Sequence, residues 1–107
     1  MLQRNFQEIF DVILERKQSG GKSSYVASLM EKGLDAILKK IGEETAEVLI
    51  ASKNDNRQAC IHELTDLFFH MMVLMAHAEI SLTDIETEFG RRFGLSGLVE
   101  KEKRSVK

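Results

Sequence analysis

The sequence contains no proline among its 107 residues, and its apolar side chains recur mostly at steps of three and four. Proline disrupts the interior of a helix, so a chain without it can be helical along most of its length. No stretch alternates apolar and polar residues with the period of two that a half-buried strand requires. We therefore predict an all-α fold, formed by a single domain over residues 1–107 with short connections between helices.

The first of four predicted helices carries apolar residues from Leu2 to Leu14. It ends near a serine and two glycines at residues 19–21, a combination that breaks helices. The short segment that follows has an uncertain form, and Ser23 and Ser24 are the candidate caps of a helical turn there.

Two long helices are predicted next, over residues 33–53 and 57–77, separated by the polar turn at residues 54–56. The predicted core stripe of the first long helix consists of Leu34, Ile37, Leu38, Ile41, Thr45, Val48 and Leu49. The last helix begins at Ser81, with Asp84 in the place of a capping-box acid, and ends near Gly94. Residues 95–107 are expected to form a tail or a short docking helix.

The composition excludes several classes of partner. The chain has 15 Lys and Arg against 17 Asp and Glu, a net charge of −2, so it lacks the surplus of cations that binds nucleic acid. Its longest nearly apolar run, residues 67–76, is shorter than the roughly 20 residues that span a membrane. Cys60 is the single cysteine and cannot form an internal disulfide, so a reducing, cytoplasmic location is expected.

Carboxylates occupy unusual positions on the two long helices. Glu44 and Glu47 lie on the flank of the first helix's apolar stripe, whereas Glu63 and Asp66 lie on the polar stripe of a second helix that is otherwise apolar almost all round. The members of each pair are three residues apart and share one face. If the two helices pack antiparallel, the pairs face each other and repel unless a cation neutralises them. Oxygen ligands of this kind suit Mg²⁺, Mn²⁺ or Ca²⁺, and magnesium usually completes its shell with waters and substrate phosphates.

Other interpretations of the same residues remain open. A pair of glutamates on a helix is usually part of a solvated face, and an ion-pair network with Lys39, Lys40 or an arginine would also account for Glu63 and Asp66. A di-iron bundle is disfavoured because no glutamate is followed three positions later by histidine. Cys60 has no histidine or cysteine partners at the spacing of a zinc site.

Several segments carry a resemblance to known families. The sequence KKIGEETAEV at residues 39–48, followed by ELTDL at 63–67, has the E-E-x-x-E and E-x-x-D pattern of the all-α nucleoside triphosphate pyrophosphohydrolase superfamily, which includes MazG proteins and dimeric dUTPases. The sequences SYVASL at 24–29, KGLD at 32–35 and RRFGLSGLVEK at 91–101 resemble the phosphoribosyl-ATP pyrophosphatase family of histidine biosynthesis. The resemblance covers nearly the whole chain.

This resemblance implies Mg²⁺-dependent hydrolysis of phosphoribosyl-ATP to phosphoribosyl-AMP and pyrophosphate, with Mn²⁺ as an alternative cofactor. It also implies a MazG-like bundle of four to five helices, completed by a homodimer or higher oligomer in the cytoplasm. By motif position, it implies catalytic and metal-ligand roles for Glu44, Glu47, Glu63 and Asp66. Glu43 is the first glutamate of the motif, and it is expected to be catalytic by supporting the ligands or activating water.

Candidate substrate-binding residues surround the acidic motif. The candidates for phosphate contacts are Lys39, Lys40, Lys53 and Arg57, each of which is equally well interpreted as a solvated cation on a helix surface. Tyr25 is expected either to close over the nucleotide or to pack onto the bundle. His70, also a candidate for the substrate site, is expected to hydrogen-bond Asp66 and orient it.

Two rival functions remain compatible with the acidic motif. A MazG-like house-cleaning enzyme acting on (d)NTPs would use the same carboxylates, although residues 24–29 and 91–101 favour phosphoribosyl-ATP. A non-enzymatic helical dimerisation module would hold the carboxylates in ion pairs and would not respond to Mg²⁺. The second long helix is apolar almost all round, which predicts a dimer. The predicted dimer core includes Phe68, Phe69, Met72 and Leu74.

Overall fold

The computed structural model describes residues 2–21 and 23–94, and within these ranges the chain forms five α-helices and no strand. The helices are α1 (Phe6–Lys17), α2 (Tyr25–Lys32), α3 (Leu34–Lys53), α4 (Arg57–His77) and α5 (Leu82–Phe93). The all-α prediction is confirmed. The tail or docking helix predicted over residues 95–107 lies outside the described residues.

Side-chain caps fix the starts of α2 and α5, of which only α5 was predicted as a helix. The Ser24 hydroxyl accepts a hydrogen bond from the Ala27 amide at 3.0 Å, so the second of the two candidate serines caps α2. Ser81 and Asp84 form the predicted reciprocal capping box, with bonds of 2.9 and 3.0 Å. Both helices therefore begin where the short polar side chains satisfy the first backbone amides.

The first helix begins later than its apolar spacing predicts. Asn5 and Glu8 form a second capping box, which the sequence analysis did not predict, and α1 starts at Phe6. Leu2 lies before the cap and is 95% exposed, so its assignment to the helix was wrong. A capping box overrides an apolar residue upstream because it satisfies two backbone amides at once.

Gly33 both ends α2 and begins α3. Its φ of 96° and ψ of −173° lie in a region that is essentially restricted to glycine. Its amide donates to the Leu29 carbonyl at 3.0 Å, and its carbonyl accepts from the Ile37 amide at 3.3 Å. The connection between the two helices is therefore one residue long.

The hydrophobic core lies between the first four helices, and α3 and α4 make the most extensive helix–helix contact. Its buried members are Phe10, Ile13, Val26, Leu29, Ile37, Met72, Val73 and Ala76. Lys17 Nζ also donates to the Ala76 carbonyl at 2.7 Å, which joins the end of α1 to the last turn of α4.

The predicted core stripe of α3 is only partly buried in the single chain. Ile37 is buried, but Leu34 and Leu49 are 45% and 63% exposed. The buried side of α3 includes Glu44 and Ala51 instead. Leu34 and Leu49 stay at the surface because the described helices cover the flank of α3 that carries Ile37 and Glu44.

By length and composition alone, α4 could span a membrane. The core helix of a soluble protein passes the same test, and α4 packs against α1 and α3. It also carries the ionisable residues Glu63 and Asp66. These contacts and charges favour a helix packed in the bundle over a membrane span.

An apolar groove of about 740 Å³ lies open between α1, α4 and α5. Its apolar walls are formed by Phe6, Phe68, Met71, Met72, Leu74, Met75, Leu82, Ile85 and Phe89. Phe68, from the predicted dimer core, is 41% exposed there, and its ring packs on Phe6 with a centroid distance of 5.1 Å. Met72, from the same prediction, is only 6% exposed and belongs to the hydrophobic core of the single chain.

Candidate metal centre

The α3–α4 hairpin brings carboxylates of two helices together. The two helices are joined by the turn at residues 54–56, so α4 returns alongside α3. One carboxylate oxygen from each of Glu44, Glu47 and Glu63 lies within 4.8 Å of the other two. We call these three residues the carboxylate triad.

Glu63 also belongs to a second cluster, which contains His62 and Asp66 and which we call the His62 cluster. His62 Nε2 lies 3.4 Å from Asp66 Oδ2 and 3.7 Å from Glu63 Oε1. The four expected metal ligands are therefore divided between two clusters that share Glu63. The sequence analysis missed His62, although its spacing of four residues from Asp66 was a signal.

Glu44 is the most buried of these carboxylates, with 6% exposure. Its Oε1 atom lies 3.5 Å from Lys40 Nζ, whereas its Oε2 atom is buried and has no hydrogen-bond partner among the described residues. An unpartnered buried carboxylate oxygen is costly unless a cation approaches it. Its convergence with Glu47 and Glu63 therefore fits an oxygen-ligated divalent cation.

Lys40 lies between two glutamates of the motif, with Nζ 3.5 Å from both Glu43 and Glu44. Partial burial lowers the pKa of Lys40, but the opposing effects of Tyr25, Glu43 and Glu44 are larger together, so its pKa is raised overall. The ammonium group therefore stays charged and balances Glu44 Oε1. Glu43 has a side chain that is 49% exposed and lies outside both clusters.

Tyr25 and His70 join α2 to α4 beside the acidic residues. The Asp66 main-chain carbonyl can only accept, so His70 Nδ1 donates to it at 2.7 Å. In the neutral ring, Nε2 then accepts from the Tyr25 hydroxyl, also at 2.7 Å. His70 is 5% exposed, and its bond to Asp66 involves the main chain and not the carboxylate. The bond between Tyr25 and His70 thus fixes the start of α2 against α4.

Charged residues of the site also shift the pKa of the Tyr25 hydroxyl. Desolvation raises its pKa above the ordinary value, Lys40 lowers it, and Glu44, Glu43 and Asp66 raise it further. The ring of Tyr25 stacks on Phe69 with a centroid distance of 6.3 Å. The residue therefore packs onto the bundle, one of the two alternatives expected for it, while about half of its surface stays exposed.

The other basic candidates lie on the surface of the hairpin, where Lys39, Lys53 and Arg57 are all exposed. None of the three forms an ion pair with a described carboxylate. Arg57 lines a cavity of about 460 Å³ at the α3–α4 turn, together with Ser52 and Cys60. The structure therefore does not bring these three cations into the clusters.

An open cavity of about 750 Å³ adjoins the carboxylate triad. Glu47 and Glu63 form part of its wall, and the polar side chains of Asn54, Gln58 and His62 form another part. Its volume is within the range of small-molecule sites in proteins. The triad therefore faces a space that is large enough for part of a nucleotide.

Comparison with known proteins identifies the family of this chain. A model of the family described as phosphoribosyl-ATP pyrophosphohydrolase matches residues 6–93, which include all five helices and both clusters. A protein from Geotalea daltonii named phosphoribosyl-ATP pyrophosphatase is 52% identical over 98 residues, covering 92% of each chain.

Proteins of the same name from Geobacter sulfurreducens and Clostridium novyi are 48% and 45% identical. The alignments cover 92% and 94% of this chain, and 92% and 91% of those proteins. The similarity extends over nearly the full length of this chain and of each of these relatives. This chain belongs to the phosphoribosyl-ATP pyrophosphohydrolase family.

Proposed function

We propose that this protein hydrolyses phosphoribosyl-ATP to phosphoribosyl-AMP and pyrophosphate, as a step of histidine biosynthesis. Membership of the family supports the choice of substrate. The observation that carries the proposal is the buried, unpartnered Glu44 Oε2, which converges with Glu47 and Glu63 beside an open cavity. A cluster of this kind suits a reaction on a substrate with several negative charges.

We propose Mg²⁺ as the cofactor, with Mn²⁺ as an alternative, and Glu44, Glu47, Glu63 and Asp66 as the residues that hold it. The choice rests on the oxygen donors, which hard divalent cations prefer. When bound, the ion supplies the positive charge that offsets the phosphates during attack by water.

Residues of the chain would carry out the remaining steps. Water attacks a phosphorus of the triphosphate, the bond to the departing pyrophosphate breaks, and Glu43 accepts the proton that the water loses. Glu43 suits this role because its side chain is exposed beside the triad and is not one of its members. Lys40 keeps Glu43 and Glu44 in place through its two ion pairs.

We also propose that two copies of the chain associate through the apolar groove and that the protein is cytoplasmic. The groove exposes large apolar side chains of three helices, which is uncommon on a monomer surface unless a partner covers it. The cytoplasmic location is supported by the single cysteine and by the negative net charge of a soluble helical chain.

The test is pyrophosphate release from phosphoribosyl-ATP with and without Mg²⁺, with dUTP, dCTP and ATP as competing substrates. We expect metal-dependent release from phosphoribosyl-ATP in preference to the others. We expect Glu47→Gln and Asp66→Asn to lower turnover at least about 100-fold, because each removes a charged ligand, while helicity measured by circular dichroism is retained.

The matched control is Glu15→Gln, which neutralises an exposed carboxylate on α1 and should leave turnover unchanged. Preferred release from the deoxynucleotides would assign the protein to house-cleaning chemistry with the same site. Near-normal turnover in both Glu47→Gln and Asp66→Asn would reject the ligand assignment.

A further inference from the structure

His70 is a buried histidine whose two ring nitrogens both have partners. Nδ1 donates to the Asp66 main-chain carbonyl and Nε2 accepts from the Tyr25 hydroxyl, each at 2.7 Å. The residue is 5% exposed, so a substrate cannot reach its ring, whereas Tyr25 is 49% exposed. The shortest route by which the ring can act on a bound ligand is therefore the Tyr25 hydroxyl.

The direction of these hydrogen bonds decides what the Tyr25 hydroxyl can offer to a ligand. A phenol carries one proton, and here that proton is donated to Nε2 of the neutral His70 ring. None of the described side chains donates a hydrogen bond to the Tyr25 oxygen. The oxygen is therefore an acceptor without a donor. It suits a hydroxyl or amino group and not a phosphate oxygen, which is itself an acceptor.

This acceptor lies beside the acidic residues of α3 and α4. Desolvation is the largest cause that raises the Tyr25 pKa, and the charges of Lys40, Glu44 and Asp66 also act on it, so the hydroxyl is close to all three. The open cavity beside the carboxylate triad lies nearer to the α3–α4 turn, since its lining residues run from 47 to 63. A long substrate whose triphosphate lies at the triad can therefore reach the cavity with one end and Tyr25 with the other.

We propose that the Tyr25 oxygen accepts a hydrogen bond from a ribose hydroxyl in the ATP part of the substrate, and that His70 is the positioning residue that holds the Tyr25 hydroxyl in this orientation. In phosphoribosyl-ATP, the hydroxyls nearest to the triphosphate are those of the ribose that carries it. The ionised phosphates only accept hydrogen bonds, so they cannot serve as donors to this oxygen. This inference rests on the proposed function, because it takes phosphoribosyl-ATP as the substrate.

The experiment measures, by calorimetry with Mg²⁺ present, the affinity of the protein for two probes. One is an ATP analogue with a methylene group between the α- and β-phosphorus, which cannot release pyrophosphate, and the other is inorganic tripolyphosphate, which has no ribose. Tyr25→Phe removes the hydroxyl and keeps the ring that stacks on Phe69. We expect it to weaken binding of the ATP analogue about 3- to 10-fold and to leave tripolyphosphate binding unchanged.

Two variants of His70 test its positioning role. His70→Gln retains an acceptor oxygen near the position of Nε2, so its affinity for the ATP analogue should be close to that of the wild type. His70→Asn is too short to reach the Tyr25 hydroxyl and should weaken analogue binding at least about twofold, with no further effect when it is combined with Tyr25→Phe. The matched control is His77→Asn, which changes the last residue of the same helix and should leave both affinities unchanged.

Three results would overturn the inference: Tyr25→Phe binds the ATP analogue as tightly as the wild type, it loses affinity for both probes equally, or His70→Asn weakens analogue binding as strongly in the Tyr25→Phe background as it does alone. Pyrophosphate release from phosphoribosyl-ATP is measured on the same wild-type preparation. Absence of that reaction would reject the proposed function, whereas the two binding titrations alone decide the roles of Tyr25 and His70.

Discussion

At the scale of single residues, Glu43 and Glu44 differ in environment although they are neighbours in the sequence. Glu43 has a side chain that is 49% exposed, whereas that of Glu44 is 8% exposed with one oxygen unpartnered. A one-residue step rotates a side chain by about 100° around a helix, which is enough to move it from solvent to the α3–α4 contact. The protein thus keeps a carboxylate where it is unfavourable without a cation.

The first prediction concerns the folding stability that the protein loses by burying the Glu44 carboxylate. Without divalent ions, Glu44→Gln should unfold at a higher temperature than the wild type, by about 4–8 °C for a gain of about 1 kcal/mol, because a neutral amide tolerates burial better than a carboxylate with one unpartnered oxygen. Mg²⁺ should raise the unfolding temperature of the wild type but not that of the variant. Thermal unfolding with and without Mg²⁺ measures both effects.

Glu15→Gln serves as the control for this prediction, because it removes an exposed carboxylate. Its unfolding temperature should respond to Mg²⁺ as the wild type does. A variant Glu44→Gln that is less stable than the wild type without metal would contradict the account of this carboxylate.

The two histidines show the limits of sequence analysis at this scale. His70 was expected near Asp66, and the structure places it there, but its bonds to a carbonyl and to Tyr25 depend on where α2 packs. His62 was overlooked because its position beside Glu63 matches no ligand motif. Its distances to Glu63 and Asp66 depend on side-chain rotamers within α4, which the sequence does not fix.

At the scale of the helices, local signals predicted the boundaries of α3, α4 and α5 well. Glycine at residue 33, the polar turn at residues 54–56 and the capping box that begins α5 act through neighbours in the sequence, so their effects are visible without the fold. The buried side of α3 could not be predicted in this way, because two surfaces of the helix are suited to packing. The contact with α4 selects the side that contains Glu44.

The second prediction concerns the acid stability of α5. Arg91 and Arg92 donate hydrogen bonds of 2.6–2.9 Å to the Glu88 carboxylate. These bonds lower the pKa of Glu88 from 4.5 to about 2. Because the folded pKa lies below the unfolded value, the stabilisation is complete above about pH 4.5 and is lost as the pH falls towards 2.

Carbon-13 NMR should therefore show the Glu88 carboxyl group titrating at about pH 2. The wild type should be more stable than Glu88→Gln at pH 5, and the difference should vanish as the pH approaches 2. Glu86→Gln, an exposed neighbour on α5, provides the control. Titration of Glu88 near pH 4.5 would show that the arginines do not hold its carboxylate.

At the scale of the whole molecule, the chain leaves more apolar surface uncovered than its own helices can bury. The apolar groove between α1, α4 and α5 and the exposed stripe of α3 are separate surfaces of this kind. Small domains bury a limited share of their surface, so association is the usual way to cover the remainder. The sequence predicted an unusually apolar α4, but it could not show that Met72 would be buried within one chain while Phe68 would not.

The third prediction tests the proposed homodimer. Light scattering at micromolar concentration should give the mass of a dimer for the wild type and of a monomer for Phe68→Glu. A carboxylate in the groove cannot be buried at the dimer interface without an opposite charge nearby. Met71→Glu, which changes another exposed residue of the groove, should have the same effect if the chain is folded.

Leu2→Glu is the control for the dimer experiment, since Leu2 is 95% exposed and lies before α1. It should remain dimeric. A monomeric wild-type protein, or dimers of unchanged mass in both groove variants, would reject association through this surface.

The single-residue connection at Gly33 has a consequence for how this sequence can change during evolution. An insertion there would rotate α2 by about 100° per added residue relative to α3, and Tyr25 would no longer reach His70 beside Glu44. The number of residues between Tyr25 and Glu44 must therefore stay constant. The loop before α2 is free of this constraint, so insertions and deletions are expected to accumulate there.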